Sequence, residues 1–274
     1  MLRASARIRN APRGAASAED ERLLQSAFPL EGKVVLVTGG AKRVGAAIAR
    51  RLHAAGANLM LHYRSAQGEA NALQAELSAA REHSVALVKA DLLDTAGLVE
   101  IVRNTVTRFG RLDVLVNNAS SFFATPLGEI SLESWDDLIG TNLKAPLFLA
   151  QAAASHLKKT QGSIVNITDI HGERPLKHYV VYSVAKAGLI GLTKSLAREL
   201  GPDVRVNGVS PGPVLWPEDD SFDAVARQRV IAHTLLKRAG EPEDIARAVY
   251  FFVADAPYVT GQIVAVDGGR SVNL

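Results

Sequence analysis

The amino-acid sequence predicts one α/β domain built on a doubly wound parallel sheet of seven strands. From residue 33 onward, short runs rich in β-branched residues alternate with longer segments of helical period. The short runs are apolar almost throughout, which is typical of parallel strands covered by helices on both faces. The first run also leads directly into a glycine-rich turn and a helix. Together these observations predict a Rossmann-like domain whose ligands bind beyond the carboxyl ends of the strands.

The predicted elements follow one another without an internal repeat or a low-complexity linker. The predicted strands are residues 33–37, 57–61, 85–88, 112–116, 163–167, 204–209 and 262–266. The predicted helices are residues 44–55, 68–80, 96–109, 132–151 and 182–200. Because parallel strands need a crossover between them, this alternation itself supports the predicted sheet.

The composition restricts the chemistry that the protein can perform. The chain has 274 residues, of which 47% are hydrophobic, so it can bury a sizeable core. It contains no cysteine, which excludes disulfides, thiol nucleophiles and thiolate metal sites and predicts a reducing, cytoplasmic environment. No run of eighteen or more apolar residues is present, so we expect neither a membrane-spanning segment nor a membrane partner.

Residues 1–30 are set apart from the single domain that we expect over residues 31–274. Four arginines and no acidic residue lie in the first eighteen positions, so they account for the formal net charge of +3. A solvated basic leader explains this charge better than a surface that binds nucleic acid or lipid. An over-extended start site and an organelle-targeting peptide remain alternatives for the segment.

The glycine-rich turn is the first candidate for ligand binding. Residues 38–45 read Thr-Gly-Gly-Ala-Lys-Arg-Val-Gly and lead into the first helix. Glycine lets the backbone approach a pyrophosphate, whose charge is met by free N–H groups at the helix N-terminus. Gly39, Arg43 and Val44 are therefore candidate cofactor-binding residues. Arg43 is either a solvated first-turn arginine or a cation that is tolerated there because cofactor phosphates lie beside it.

The end of the second strand indicates which cofactor binds. A protein that prefers NAD places Asp or Glu here to hold the ribose 2′-hydroxyl. This chain instead reads His62, Tyr63, Arg64 and Ser65, and no acid occurs before Glu69. A cation with a hydroxyl suits a 2′-phosphate, so the sequence predicts NADPH. An exposed arginine at a strand end is the simpler alternative.

Tyr182 and Lys186 are the first candidates for catalysis. They lie four residues apart in a predicted helix and therefore share one of its faces. An ammonium close to a phenol favours the phenolate, so we expect the pKa of Tyr182 to lie below its usual value of about 10. A phenol of this kind can donate a proton at neutral pH. In isolation the pair is more typical of a surface tyrosine beside a solvated lysine.

Further motifs occur at characteristic intervals along the chain. They are Asn117-Asn118-Ala119, Asn142, Pro211-Gly212-Pro213 and Val266-Asp267-Gly268-Gly269. With the glycine-rich turn and the Tyr182–Lys186 pair, they resemble the short-chain dehydrogenase/reductases over residues 33–274. The resemblance implies an NADPH-dependent oxidoreductase. It also implies a homotetramer, because the family usually assembles through the helices after the fourth and fifth strands.

The resemblance assigns a role to individual residues. Tyr182 would protonate the substrate, and Lys186 would hold the nicotinamide ribose and lower the tyrosine pKa. Asn142 would support a water-linked proton relay, or only satisfy backbone groups. Asp91 would face the adenine, or only cap the next helix. The remaining cofactor-binding residues that the resemblance implies are Leu92, Asn118, Ala119, Ser120, Pro211 and Gly212.

One position departs from the family pattern. After the fifth strand most members have a catalytic serine, whereas residues 166–169 read Asn-Ile-Thr-Asp and place Asp169 there. A carboxylate suits proton delivery to a ring nitrogen, but it repels the oxyanion that develops when a ketone is reduced. Alternatively, Asp169 caps a helix or is solvated, and Thr168 or a neighbour supplies the hydroxyl.

Three stretches narrow the resemblance to the pteridine reductases. They are residues 38–43, residues 61–66 with 69–73, and residues 117–122. In that subfamily the residue that matches Phe122 stacks on the pterin. The serine that matches Ser120 contacts both the pterin and the cofactor. The arginine that matches Arg43 approaches the cofactor phosphates and the edge of the pterin. A flat heteroaromatic ring needs such an apolar face and a polar rim, to which Asp169 and Tyr182 would contribute. Phe122 could otherwise be ordinary core packing.

Trp216 belongs to the loop where the family usually has a mobile substrate segment. Residues 214–218 read Val-Leu-Trp-Pro-Glu, and this stretch differs most from the pteridine reductases. Trp216 could close over the substrate ring or be anchored by packing. It is therefore a candidate substrate-binding residue.

The sequence thus predicts NADPH-dependent reduction of dihydropterins, including dihydrofolate-like or dihydromonapterin-like ones. Hydride transfer would be accompanied by protons delivered through Asp169 and Tyr182. A carbonyl or 3-oxoacyl reductase of the same family is the alternative enzyme, and a non-catalytic NADPH-binding sensor is the alternative of another class. The expected partner is a small-molecule pterin, with no metal and no nucleic acid.

Overall fold

The computed structural model describes residues 28–216 and 223–273, and they form the predicted doubly wound sheet. Seven parallel strands lie in the order β3-β2-β1-β4-β5-β6-β7. Their bounds are β1 Val34–Val37, β2 Asn58–Tyr63, β3 Val85–Lys89, β4 Val114–Asn117, β5 Ser163–Ile167, β6 Arg205–Pro211 and β7 Ile263–Val266. All seven predicted strands are confirmed. Most of the predicted leader, residues 1–27, lies outside the described residues, as do Pro217 and Glu218 of the predicted substrate loop.

The strand order reverses between β1 and β4. From β1 the chain proceeds through β2 to β3 on one side, and β4 then pairs with β1 on its other side. Such a reversal leaves a crevice at the carboxyl ends of the strands, because the following helices cover opposite faces of the sheet. The loops that follow β1 and β4 meet in this crevice.

The helices of the described residues flank the sheet. Their bounds are α1 Arg43–Ala54, α2 Gln67–Ala80, α3 Leu98–Phe109, α4 Leu132–Ile139, α5 Ala145–Thr160, α6 Val180–Leu200, α7 Ala224–Ala232 and α8 Pro242–Tyr250. A π-helical turn, Gly140–Lys144, joins α4 to α5, and a second one, Phe251–Asp255, follows α8. A 3₁₀ turn, Ile170–Gly172, follows β5.

The helices differ from the prediction in two ways. The single helix expected over 132–151 is α4, the π-helical turn and α5 in succession, because an extra residue in the turn interrupts the regular hydrogen-bond pattern. Helices α7 and α8 were not predicted at all. The start of α8 does carry a readable signal, since Pro242 occupies its first turn and Glu241 and Asp244 form a capping box.

The core has two layers, one on each face of the sheet. Val35 packs with Ile48 of α1 and Phe252 behind α8, and all three are at most 1% exposed. Its neighbour Leu36 points to the other face, where Leu149 of α5 is equally buried. Because successive strand residues face opposite sides, a continuous apolar run fills both layers.

Helix α6 is long and apolar enough, by length and composition alone, to span a membrane. Half of its most apolar stretch (50%) is buried inside the fold. Its buried residues include Leu189, Ile190 and Ala197, as expected for a helix that packs on a sheet. The same helix carries Tyr182 and Lys186, both of them buried. Its apolar character therefore agrees with its place in the core.

Asp113 ties the start of two central strands together. Its buried carboxylate accepts a hydrogen bond from the backbone N–H of Val34 at 2.9 Å. Arg111 binds the same carboxylate through two hydrogen bonds of 2.8 and 2.6 Å, and Lys33 lies 3.4 Å away. The network pairs β1 with the chain that enters β4, so it fixes the strands between which the crevice opens.

We expect Asp113→Ala to lower the free energy of unfolding by about 2 kcal/mol or more, because it leaves the buried Val34 N–H without an acceptor. Arg111→Ala is the matched control. It should cost less than about 1 kcal/mol, since the carboxylate keeps its backbone partner and the arginine is partly exposed. Urea unfolding at fixed protein concentration measures both. Equal losses in the two variants would contradict the role given to Asp113.

Candidate active site

A cavity of about 700 Å³ opens at the carboxyl ends of the strands. It lies in the crevice that the reversed strand order creates, and loops after several strands contribute to its wall. All candidate site residues named from the sequence line it, with the exception of Asn142. The fold thus brings residues that are far apart in the sequence to one cavity.

The glycine-rich turn is tightly packed against the loop after β4. Gly39 has a φ of 59°, and a Cβ there would lie 3.0 Å from Cα of Ala119. A Cβ at Gly45 would overlap the Gly39 carbonyl oxygen and lie 2.7 Å from Nδ2 of Asn118. The Thr38 hydroxyl accepts the backbone N–H groups of Asn118 and Ala119 at 3.0 and 3.1 Å. The turn therefore keeps a bare backbone facing the cavity, as a pyrophosphate cradle requires.

His62 supports this turn and presents no charge to the cavity. Its Nδ1 accepts the Gly39 backbone N–H at 3.2 Å, so Nε2 carries the proton that goes to the Ala90 carbonyl at 3.1 Å. Burial lowers the pKa of the imidazole, partly offset by the Ala90 hydrogen bond. His62 is therefore a neutral support, and Arg64, exposed at the cavity wall beside Ser65, is the cation of this segment.

Asp91 lines the cavity after β3, and its carboxylate accepts the backbone N–H of Leu93 at 3.0 Å. This is the capping role foreseen as the alternative for Asp91, although not of a full helix. The neighbouring Leu92 is buried. The side chain thus has a structural task while it stands at the cavity wall.

The hydroxyl of Tyr182 donates a 2.7 Å hydrogen bond to Oδ2 of Asp169. The other carboxylate oxygen accepts the backbone N–H of His171 at 2.8 Å and thereby caps the 3₁₀ turn after β5. Asp169 therefore has the capping role that was one of its predicted alternatives, and it also contacts Tyr182.

The lowered pKa expected for Tyr182 is wrong. Burial raises it well above its ordinary value, the Asp169 charge and hydrogen bond raise it further, and only Ser120 lowers it. The phenol is 4% exposed, so its ionisation would place a second negative charge beside Asp169 in a dry environment. As the side chains stand, the phenol holds its proton against the carboxylate.

Lys186 is buried one helical turn from Tyr182, with 2% of its surface exposed. Its ammonium donates to the carbonyl oxygen of Ile167 at 2.9 Å and lies 5.7 Å from the centre of the Tyr182 ring. Burial lowers the pKa of Lys186 to about 8, while the Asp169 charge acts in the opposite direction. Burial thus destabilises the charged form of Lys186, and the negative charge of Asp169, on the other side of Tyr182, partly stabilises it.

Asn142 lies behind the cavity wall in the π-helical turn. Its amide donates to the carbonyl oxygens of Leu138 and Ser121 at 2.9 and 3.0 Å, and its oxygen accepts the Ser120 hydroxyl at 2.7 Å. The contacts match the alternative in which Asn142 satisfies backbone groups. They also orient Ser120, so Asn142 reaches the site through that serine.

Phe122 packs among aromatic rings at the cavity wall. It stacks on Tyr179 with ring centres 4.6 Å apart, and its contact with Tyr182 is edge-on at 4.8 Å. The packing foreseen as an alternative for Phe122 is therefore present. Because Phe122 also lines the cavity, the cluster forms a rigid apolar platform beside the phenol of Tyr182.

Arg43 connects the glycine-rich turn to the opposite wall. One of its Nη atoms is within 3.0 Å of the Trp216 carbonyl oxygen and 3.4 Å of that of Leu215. The φ of Arg43 is 54°, a left-handed conformation that is uncommon for a non-glycine residue. Trp216 is held on its other side by Arg227, whose guanidinium carbon lies 5.6 Å from the ring centre. Trp216 is thus anchored at the edge of the cavity.

Thr168, the candidate substitute for the family serine, is poorly placed for that task. Its hydroxyl is buried and donates to the Val209 carbonyl oxygen of β6 at 3.0 Å. The hydroxyl proton of Thr168, which would otherwise polarise a substrate carbonyl, is therefore already donated to the Val209 carbonyl oxygen. Asp169 remains the polar side chain after β5 that faces Tyr182.

The sequence did not reveal several residues of the far wall. They are His171, Leu176, Val230 and Arg270. Val230 belongs to the unpredicted α7, and Arg270 follows β7 in a loop whose path depends on glycine geometry. Only the Gly268-Gly269 pair before Arg270 offered a signal, since paired glycines mark a sharp turn.

Comparisons with known proteins show the same fold and similar sequences. A family model described as enoyl-(acyl carrier protein) reductase matches residues 39–271. Pteridine reductase 1 of Leishmania tarentolae is 38% identical over 281 residues, covering 87% of this chain and 96% of that protein. The 3-oxoacyl-(acyl-carrier-protein) reductase of Staphylococcus aureus is 35% identical over 240 residues, covering 86% and 97%. These two identities are too close to decide between their substrates.

Two solved structures extend the similarity to the coordinates. A mutant of a Serratia marcescens short-chain dehydrogenase/reductase aligns with a TM-score of 0.83 and 36% identity, over 89% of this chain and 99% of that one. A blue fluorescent protein from a metagenomic library, in complex with NADPH, aligns with a TM-score of 0.82 and 37% identity, over 88% and 98%.

The buried ammonium of Lys186 makes stability depend on pH. Its pKa is about 8 in the fold and 10.5 ordinarily, so the unfolded chain binds more protons between these values and stability rises with pH there. Relative to Lys186→Met, we expect the wild type to gain roughly 2 kcal/mol of unfolding free energy between about pH 8 and pH 10. The pKa of Tyr182 is raised above its ordinary value, so its ionisation affects stability only at pH values above this range.

Denaturant unfolding at several pH values measures this difference. Lys194→Met, on the exposed face of the same helix, retains the buried ammonium and should follow the wild-type pH profile. A Lys186→Met profile parallel to that of the wild type would refute a buried ammonium at this position.

Proposed function

The chain belongs to the short-chain dehydrogenase/reductase family, and we propose that within it the protein reduces the C=N bond of a dihydropterin with hydride from NADPH. The family supplies the coarser part of this statement, an NADP-dependent reductase. The finer part, the pterin, rests on Asp169 and its contact with Tyr182.

The cavity fits a dinucleotide at its β1–β3 side. The backbone of the glycine-rich turn would hold the pyrophosphate, since Gly39 and Gly45 let the turn pack closely against the loop after β4 at the cavity wall. Arg64 with Ser65 would hold a 2′-phosphate, and Asp91 with Leu92 would border the adenine. The related NADPH complex supports the same cofactor here.

The nicotinamide end of the cofactor would reach the loops after β4, β5 and β6. Asn118 and Ala119 border the cavity there, as do Pro211 and Gly212 at the end of β6. The Lys186 ammonium, fixed on the Ile167 carbonyl oxygen at the end of β5, also lines the cavity and would contact the nicotinamide ribose. Bound NADPH would supply a hydride at this point.

The observation that carries the proposal is the 2.7 Å hydrogen bond between Tyr182 and Asp169. A ketone reductase stabilises a developing oxyanion with neutral or positive donors. A carboxylate in the same position raises the energy of that oxyanion. Reduction of a C=N bond instead produces a basic nitrogen, for which an acid beside the substrate is the useful group.

The proton balance of the reaction follows from this pair. When hydride adds to the carbon of the C=N bond, the electron pair of the π bond moves to the nitrogen, which takes up one proton. The Tyr182–Asp169 pair supplies that proton and recovers one from water. The Lys186 ammonium offsets the negative charge that is left on the pair in between.

The aromatic platform suits a flat substrate. The Phe122 ring is held in place by Tyr179 and Tyr182. A substrate ring would therefore stack on Phe122 with little loss of side-chain entropy. Ser120, oriented by Asn142, and Arg43 would supply hydrogen bonds at the rim of the ring. Trp216, anchored by Arg43 and Arg227, would form the opposite wall.

A 3-oxoacyl or carbonyl reductase is the second candidate, because the Staphylococcus aureus relative is almost as similar as the pteridine reductase. The direction in which Thr168 donates its hydroxyl proton speaks against it. A nucleotide-binding sensor would have no need of a buried ammonium beside a phenol and a carboxylate.

We also propose that residues 31–274 act as one reductase domain and assemble as a homotetramer. Helices α4, α5 and α6 expose apolar side chains, among them Trp135, Leu147 and Val184. An apolar face of this kind suits burial against a second copy of the chain.

Replacement of Arg64 tests the choice of cofactor. Arg64→Gln should lower the preference for NADPH over NADH by about tenfold or more in kcat/KM, because a charge-assisted contact with the 2′-phosphate is lost. Lys89→Gln, at the end of β3 and outside the cavity, is the control for net charge. An unchanged ratio in Arg64→Gln would exclude Arg64 from phosphate binding.

Two replacements of Asp169 test the substrate. Asp169→Asn keeps an acceptor for the His171 N–H but cannot carry a proton, so dihydropterin reduction should fall by about a hundredfold or more. Asp169→Ser supplies the hydroxyl typical of the family and should also lose dihydropterin activity, while ketone reduction is kept or improved. Steady-state rates with dihydropterins and ketones measure both.

NADPH binding by each Asp169 variant serves as the control for folding. Brisk turnover of a ketone by the wild type, without dihydropterin reduction, would establish the second candidate instead. Tight NADPH binding with no turnover of either class would point to the sensor.

A further inference from the structure

Arg270 stands at the opposite end of the cavity from the proposed 2′-phosphate site. Arg64 follows β2 and Arg270 follows β7, which is the edge strand on the far side of the sheet. Asp169 follows β5, two strands from β7. Since neighbouring strands lie about 4.8 Å apart, the chain ends of β5 and β7 are separated by roughly 10 Å. A substrate held at Asp169 can therefore extend towards Arg270 and away from the cofactor.

The turn before Arg270 is rigidly packed. Gly268 and Gly269 have φ values of 62° and 78°, and a Cβ on either would lie 2.7 Å from a side chain next to α7, Thr234 or Leu235. The Asp267 carboxylate holds the turn from inside by accepting the backbone N–H groups of Gly269 and Ser271 at 2.8 and 2.7 Å. The backbone that carries Arg270 is thus fixed against α7.

The guanidinium of Arg270 has little compensation for its burial. Its Nη1 donates to the Val230 carbonyl oxygen at 2.8 Å, and no ion pair with a carboxylate is formed within the described parts of the chain. The nearby Asp267 directs its oxygens to backbone N–H groups. Burial accordingly lowers the pKa of Arg270, and Asp267 offsets only part of this. A partly desolvated cation at a cavity wall favours an anionic ligand.

The wall near Arg270 is apolar. Leu215, Trp216 and Val230 line the cavity in this region. A substrate that passes along them needs an apolar or aromatic segment before its charged end. A side chain with an apolar or aromatic segment ahead of its charged end matches this lining better than a short polar one.

We propose that Arg270 binds the anionic end of the substrate side chain, so that the preferred substrate is a dihydropterin with an arene linker and a terminal carboxylate. The inference rests on the proposed function for the identity of the ring. The anion site itself rests on the position and partial burial of Arg270 and on the absence of an ion pair to it within the described residues. The carboxylate would accept the N–H groups that Val230 leaves available, in the bidentate geometry that arginine favours.

The first experiment compares two substrates in three proteins. Dihydrofolate carries the linker and carboxylates, whereas 7,8-dihydrobiopterin has a short neutral side chain. In Arg270→Gln the ratio of kcat/KM for dihydrofolate to that for dihydrobiopterin should fall by about tenfold or more, through KM rather than kcat. Arg229→Gln, exposed on α7 and outside the cavity, removes an equal charge nearby and should keep the wild-type ratio. An unchanged ratio in Arg270→Gln, or an equal fall in both variants, overturns the proposal.

A binding measurement separates this proposal from the function on which it rests. The probe is p-aminobenzoylglutamate, titrated calorimetrically into NADP-loaded protein and compared with its neutral diamide. The wild type should bind the acid about tenfold more tightly than the diamide, and Arg270→Gln should lose that difference. If neither dihydropterin is reduced but the acid is still preferred, the proposed reaction fails and the anion site stands. If acid and diamide bind equally to the wild type, the anion site fails whatever the reaction.

Arg270→Lys guards against a general loss of structure. It keeps the charge and the turn but not the planar fork, so it should retain part of the preference for the acid. Thermal unfolding of both Arg270 variants shows whether the fold is kept. A lysine variant as indifferent to the acid as the glutamine variant, with the fold intact, would contradict a site built on charge.

Discussion

The contact between the Tyr182 hydroxyl and the Asp169 carboxylate determines how the rest of the site is built. A buried phenol beside an anion is stable only while it stays protonated, and burial and the charge raise its pKa together. The carboxylate must then be held in place, which the His171 N–H does from the 3₁₀ turn after β5. The Lys186 ammonium, fixed on the Ile167 carbonyl, brings the compensating charge. The end of β5 and the first turns of α6 are therefore constrained relative to each other by two hydrogen bonds, one from Tyr182 to Asp169 and one from Lys186 to Ile167.

Much of this arrangement could be predicted because it depends on local rules. The strands are continuous apolar runs, so their order along the chain and their parallel pairing follow from the need to cover both faces of the sheet. The glycine-rich turn is readable since Gly39 needs a left-handed φ and Gly45 tolerates no side chain. The position of Asp169 after β5 likewise follows from strand order, because the carboxyl ends of parallel strands meet at one edge.

The features that escaped prediction depend on packing between distant segments. The π-helical turn that holds Asn142 lies inside an unbroken helical pattern, so nothing in the periodicity marks it. Helix α7 has no buried residue and hence no apolar stripe to reveal it. The pKa of Tyr182 could not be inferred from its spacing to Lys186, because burial is a property of the folded chain and here outweighs the lysine. The turn at Gly268 and Gly269 directs the chain so that Arg270 lines the cavity, and the packing that fixes this turn cannot be read from the local sequence.

His62 adds a consequence for the cell in which the protein works. An imidazole is the side chain most responsive to changes in acidity near neutrality, and here one stands beside the proposed phosphate site. Both of its ring nitrogens are engaged by backbone groups, and burial lowers its pKa, so it stays uncharged. Charge for the phosphate is left to arginine, whose guanidinium does not titrate in the physiological range. The charge that this end of the cavity presents to a ligand therefore comes from a side chain that does not titrate near neutrality, and His62 adds none when the acidity changes.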